Sequence, residues 1–222
     1  MRFEVRTTAR HQRRASGMST SARNDSAEHN EYLRAEIISI ASEILFNIGY
    51  EGTTTDLIAS HCKISKTTLY KIFNNKNDLI AEIVELNGRN IVDVSRASDG
   101  DTPFLALCKI FGLLDDDTTY GRRLSMVRLI TVEAARFPAL GVLLKERGVL
   151  KLRKQLSTWL AAQESNGKLR FENPDVTARA LMDIVFGSLF FEAAGDTGKI
   201  EVTEERKHAM SCVRMLLEGI TP

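Results

Sequence analysis

The chain has 222 residues, 43% apolar and 27% charged, with 30 Lys plus Arg against 29 Asp plus Glu and a net charge of +1. That size and balance allow one or two buried cores and exclude collagen-like and wholly disordered classes. Near neutrality means that any surface for nucleic acid must be local.

Residues 1–28 carry few large apolar residues and no sustained period, which reads as a flexible basic arm. Its "RTTARHQRR" could follow a minor groove, although disorder is the commoner state of such arms. The arm lacks the apolar segment of a secretory signal, so the chain is expected in the cytoplasm. From Ile37 the pattern changes: Ile37, Ala41, Ile44, Leu45 and Ile48 share one face of a helix expected over about 30–48. Gly49 should end it.

"EGTTTDLIASHC" offers threonines as N-caps for a short second helix over about 55–62. Ser65 is placed to cap a third, in which Leu69, Ile72 and Phe73 face inward while Thr67 and Lys71 point away. Asn75, with Asp78 three residues on, should cap a fourth helix reaching residue 95. "RASDGDTP" is the clearest break, so a helix-turn-helix domain is expected over 29–95 and a second domain over 103–222. In the second domain every apolar stretch has helical spacing, giving helices near 103–115, 119–136, 138–165, 174–194 and 203–219. The fold class is all-α.

Between residues 57 and 77 stand four lysines and no acid. A merely solvated helix face mixes both signs, whereas an outer face of Thr, Tyr and Lys suits DNA: side chains reach base edges while lysines and hydroxyls meet phosphates. In the C-terminal half, Arg128, Glu133 and Arg136 interrupt an apolar helix and are expected to pair at the solvent side or to orient a polar ligand group. The last two helices, with Gly187, Phe190, Phe191, Met210, Val213 and Leu217, carry apolar stripes wide enough for a four-helix dimer interface.

Residues 37–85 resemble the N-terminal DNA-binding domain of the TetR/AcrR family of bacterial transcriptional regulators. The resemblance rests on Phe46, Gly49 and Tyr50; the threonines before Ile58 and Ala59; Ser65, Lys66, Thr68, Leu69, Tyr70 and Phe73; and Asn75, Lys76 and Leu79. It implies a three-helix, homeodomain-like helix-turn-helix domain, with a helical C-terminal domain that binds an effector and dimerises. Position by position it implies that Thr67 and Lys71 touch bases and Lys66 a base or phosphate, while Thr54, Thr68, Tyr70 and Lys76 hold phosphates. "RLITVEAARFPALGVLLKERG" and "NGKLRFENPDVTARAL" resemble the AefR-like subgroup. The implied effector pocket lies among the helices of residues 103–190, with Phe104, Cys108, Phe111, Met126, Leu129, Ile130, Trp159, Met182 and Phe186 as its candidate lining. Two positions depart from the family pattern: Lys63 stands where glycine is usual, and Ile72 where an aromatic residue or histidine is common. If residue 63 must be left-handed, the lysine costs about 1–2 kcal/mol, so a turn shaped differently from the family's, with a slightly shifted recognition helix, is expected.

These readings point to a ligand-responsive regulator, a repressor released by a small lipophilic molecule, which binds as a homodimer to double-stranded DNA with inverted half-sites. The alternative is an architectural or division-related DNA binder answering to a protein partner. Catalysis finds no support: the four histidines are scattered, and no nucleophile elbow, metal-ligand run or phosphate-binding glycine loop occurs. Cys62, Cys108 and Cys212 are widely spaced without CxxC, so no zinc, cofactor or disulfide framework is expected. The apolar runs fall far short of the roughly 20 residues that span a bilayer.

Overall fold

The structure, a computed structural model, describes the backbone of residues 9–193 and 201–220 and the side chains of 28–187 and 201–219. The described residues are helical, without strands. The first helix, α1, runs Ala9–Gly52, with a break at Gly49 (φ 74°, ψ −179°), a backbone region open essentially to glycine alone. Gly49 therefore does end the regular helix. The start differs from expectation: the backbone is helical about twenty residues ahead of residue 30. Residues 9–29 hold no proline and several good helix formers, but they show no apolar period to reveal it. Residues 1–8 of the expected arm lie outside the described residues. Along α1, Ile37, Ala41, Ile44 and Leu45 are buried as the period requires, whereas Ile48 is 51% exposed.

Helices α2 (Thr55–His61), α3 (Lys66–Ile72) and α4 (Lys76–Ile91) follow in quick succession. Each starts on the residue its sequence offered: Thr54, Ser65 and Asn75 accept from the amides of Leu57, Thr68 and Asp78. The C-terminal part comprises α5 (Pro103–Ile110), α6 (Asp117–Arg136), α7 (Pro138–Leu143), α8 (Leu150–Ser165), α9 (Pro174–Ala193) and α10 (Val202–Ile220). A wider turn over Leu144–Val149 carries α7 into α8 without interrupting the helical path.

Two cores organise these helices. The first gathers Ile37, Leu45, Ile58, Leu69, Phe73, Leu79 and Ile83 of α1–α4 with Met126 and Ile130 of α6 and Leu140 of α7. The second gathers Leu107, Phe111, Tyr120, Leu124, Leu156, Leu181, Val185 and Val213, with Val92 just beyond α4. Three helical stretches cross the junction. The continuous path from α7 to α8 has Leu140 and Leu144 in the first core and Leu152 and Leu156 in the second. The end of α4 enters the second core through Ile91 and Val92, and α6 puts its first turns in the second core and its later turns in the first. The two domains expected from the break at residues 96–103 are thus bridged by continuous helices.

Candidate nucleic-acid interface

The turn between α2 and α3 is set by backbone closure. The amide of Lys63 donates to the Ser60 carbonyl (3.1 Å) and that of Ile64 to the Ala59 carbonyl (3.0 Å), the paired bonds of a Schellman motif. That motif needs a left-handed residue at its centre, and Lys63 supplies it at φ 54°. The same closure follows α5 at Gly112 (φ 66°) and α8 at Gly167 (φ 69°). Among the described residues Lys63 is the one non-glycine residue with positive φ. The turn is therefore not reshaped as expected: its backbone path is the one glycine would take, and the departure is one of side chain and strain.

On α3 the inward seam is Leu69 and Phe73, both buried, with Ile72 packed at its edge. Arg34 of α1 braces the helix end: its Nη1 donates to the Ile72 carbonyl (3.0 Å), its guanidinium lies 4.7 Å over the Phe73 ring, and it pairs with Glu82. A cation at orphan C-terminal carbonyls also opposes the negative end of the helix dipole. Nothing in the apolar spacing pointed to Arg34.

Thr67, Tyr70 and Lys71 are exposed on the outward side of α3, as is Lys66. Lys71 makes no ion pair among the described residues. Lys66 does: Asp56, one residue outside the acid-free window, pairs with it across α2 and α3, and that hydrogen bond raises its pKa. Thr68 shares its hydroxyl with the cap, 2.9 Å from Ser65 Oγ. The Tyr70 hydroxyl lies 3.4 Å from Thr55 Oγ1. Thr54 Oγ1 accepts from the Leu57 amide (3.2 Å).

Lys76 is differently placed from the other lysines. Its Nζ donates to the Tyr50 carbonyl (2.6 Å) and sits 4.0 Å from the centre of the Tyr50 ring, and burial pushes its pKa below the ordinary lysine range. Tyr50 in turn donates its hydroxyl to Asn77 Oδ1 (3.0 Å), tilts against Phe137 (5.0 Å) and donates its amide to Glu133 Oε2 (2.7 Å). Glu133 is thus buried at 6% exposure rather than pairing at the surface as expected. Its second oxygen receives Arg136 at 3.1 Å.

The comparisons agree with this geometry. The sequence model described as bacterial regulatory proteins of the tetR family matches residues 37–83, and the one described as the AefR-like transcriptional repressor C-terminal domain matches 119–219. This chain belongs to the TetR family. A curated relative, the uncharacterised HTH-type transcriptional regulator YvkB of Bacillus subtilis (strain 168), is 29% identical over 65 residues, covering 29% of this chain and 34% of that protein. The chain therefore matches about a third of that relative's length. Solved structures match far more of it. A TetR-family regulator from Mesorhizobium loti MAFF303099 superposes with a TM-score of 0.65 at 21% identity, covering 87% of this chain and 98% of its own. The flavonoid-responsive regulator FrrA gives 0.58 at 22%, covering 86% and 98%, and Salmonella enterica GusR gives 0.66 at 19%, covering 84% and 95%.

Within this TetR-family fold the candidate pocket residues do not form one group. Cys108, Phe111 and Phe186 are buried in the second core with Phe104, Trp159 and Met182 packed against it, whereas Met126, Leu129 and Ile130 belong to the first core. Burial pushes the Cys108 thiol up to about 11. The candidate dimer residues divide too. Val213 and Leu217 are buried in the chain's own core at 0% and 6% exposure, because the apolar stripe of α10 packs onto α5 and α9. Met210 of α10 and Gly187 of α9 are half-buried, Met215 on α10 is 66% exposed, and Phe190 and Phe191 lie outside the described side chains. Among the described residues no His, Cys, Asp or Glu group could hold a metal, and no helix is long and apolar enough to cross a membrane.

Proposed function

We propose that this chain represses transcription as a cytoplasmic homodimer, with one α3 of each subunit in the major groove of an operator with inverted half-sites. The carrying observation is the division of α3: its apolar seam is fully used by the first core, while Thr67, Tyr70 and Lys71 stand outward beside unneutralised charge. In this reading Thr67 and Lys71 touch base edges, with Lys66 at a base or phosphate after exchanging Asp56 for DNA. Thr54, Thr68, Tyr70 and Lys76 hold the backbone. Exposed Met215 and half-buried Met210, with Gly187, mark the α9–α10 face for the second subunit.

In this reading the effector is a small lipophilic or aromatic molecule received by the second core, where Phe104, Cys108, Phe111, Trp159, Met182 and Phe186 offer apolar contact. FrrA, similar in fold, is by its name responsive to flavonoids. Release requires that effector and operator prefer different states, a coupling of about 1–3 kcal/mol in regulators of this kind. Fluorescence anisotropy against the DNA upstream of the chain's own gene tests the proposal. The expected result is binding well above that of a scrambled duplex, with Lys71→Ala losing about 1–3 kcal/mol of the discrimination. Equal affinity for both duplexes would overturn it.

A further inference from the structure

We infer that Glu133 is a positioning residue that ties the effector-side helix α6 to the DNA surface, by fixing through Tyr50 the place of Lys76. The inference rests on the DNA-binding reading above and assigns a residue that touches neither DNA nor effector.

Burying a carboxylate is costly unless charge and hydrogen bonds compensate it. Glu133 is buried on a helix whose neighbouring inward side chains, Met126 and Ile130, are apolar. Its compensation is shared between two elements: Oε1 pairs with Arg136 of its own helix at 3.1 Å, and Oε2 accepts the Tyr50 amide of α1 at 2.7 Å, a charge-assisted bond stronger than a neutral one. The approach is close as well: a Cβ on Gly49 would lie 3.1 Å from the same oxygen. Glycine at residue 49 therefore serves both the helix break and the access of this carboxylate.

The two sides of the Tyr50 residue are held by different parts of the molecule. Its N–H is held by α6, and its C=O, 2.6 Å from Lys76 Nζ, holds the first residue of α4. The ring adds to the same link, lying under the Lys76 ammonium at 4.0 Å. A lysine so engaged is not a free side chain sweeping for phosphate. Its ammonium has a fixed seat, and the seat moves with the 49–50 backbone. Because α6 begins in the second core and ends in the first, a shift of α6 driven from the effector side changes the Glu133 to Tyr50 distance directly. The bond is short and directional, so a displacement on the order of 1 Å is enough to break it. The positive end of α4 and Lys76 then lose their common reference to α1.

Salt dependence of DNA binding by the full chain tests this, on a 30-base-pair duplex recovered by selection with the wild-type protein. Each phosphate contact contributes about 0.9 to the log–log slope, so Lys76→Ala in a dimer should flatten it by about 1.8. Glu133→Asp keeps the charge and withdraws the carboxylate from Tyr50, and should flatten the slope as Lys76→Ala does, with about tenfold weaker binding. Glu133→Gln retains an oxygen acceptor for the Tyr50 amide and should keep the wild-type slope. Combining Glu133→Asp with Lys76→Ala should cost no more than either alone, because both remove one linked interaction. A wild-type slope for Glu133→Asp, an unchanged slope for Lys76→Ala, or additive losses in the double variant would overturn the coupling. The comparison between the Asp and Gln variants stands even if a Glu133→Ala chain fails to fold. No salt-dependent binding by the wild-type chain would instead defeat the DNA-binding reading itself.

Discussion

Replacing Lys63 by glycine should stabilise the protein, a gain obtained by removing a side chain rather than adding a contact. Among the described residues three helices, α2, α5 and α8, close by the same pair of backbone bonds, and two of the three left-handed centres are glycine. At φ 54° the Cβ of Lys63 crowds its own carbonyl, a cost of about 1–2 kcal/mol. Glycine removes that cost but adds freedom to the unfolded chain worth about 0.4–1 kcal/mol in the opposite direction. The net expectation is about 1 kcal/mol of stabilisation, or a rise in Tm of roughly 2–4 °C for a chain of this size. Thermal melts followed by circular dichroism, with urea midpoints as a second measure, read it out. Lys63→Ala separates strain from charge, since it removes the ammonium yet keeps the Cβ, and should show no such gain. A Tm for Lys63→Gly at or below wild type, or equal gains for Gly and Ala, would refute the reasoning.

Tyr120 is buried at 2% exposure and its hydroxyl has no hydrogen-bond partner among the described residues, so Tyr120→Phe should stabilise by about 1 kcal/mol, read as a higher urea midpoint at unchanged m-value. Burial holds its pKa up at about 12, so ultraviolet titration should leave this phenol neutral until the chain unfolds. Glu85 of α4 receives Lys151 (2.8 Å) and Arg147 (3.0 Å), and the Lys151 hydrogen bond leads in lowering its pKa. A carboxyl whose folded pKa lies below its ordinary 4.5 stabilises fully above that pH and loses the contribution as the pH falls through the lowered value. Melts of wild type and Glu85→Gln should therefore differ most at neutral pH, by under about 1 kcal/mol for partners this exposed, and converge on acidification. Cys108, its thiol raised to about 11 by burial, should resist alkylation at neutral pH in the native chain and react on unfolding, as peptide mass mapping would show.

What could be read from the residues was what local chemistry decides. Thr54, Ser65 and Asn75 cap because their side chains satisfy amides three residues on, and Gly49 marks a break whose φ the backbone demands, whereas the strain at Lys63 was legible only through the family resemblance. The Leu69 and Phe73 seam follows from helical period alone. What stayed hidden depends on partners distant in sequence. Lys66 meets Asp56, Arg34 braces α3, and Glu133 turns inward because the Tyr50 amide waits there. The pocket candidates divide because α6 serves two cores along its length, which no single helical period records. Val213 and Leu217 had the spacing of an interface, but spacing does not say whether a stripe is covered by the same chain or by a second copy.

Selection of duplexes from a random 30-base-pair library by the wild-type chain, with a Thr67→Ala, Lys71→Ala double variant in parallel, tests the central claim most directly. The account predicts that the wild type enriches one sequence with inverted half-sites about the centre, matching the two-fold symmetry of a dimer. The double variant should still bind in a salt-dependent way but enrich nothing, because its phosphate contacts remain while its base contacts are gone. No enrichment by the wild type, or the same enrichment by the variant, would contradict it.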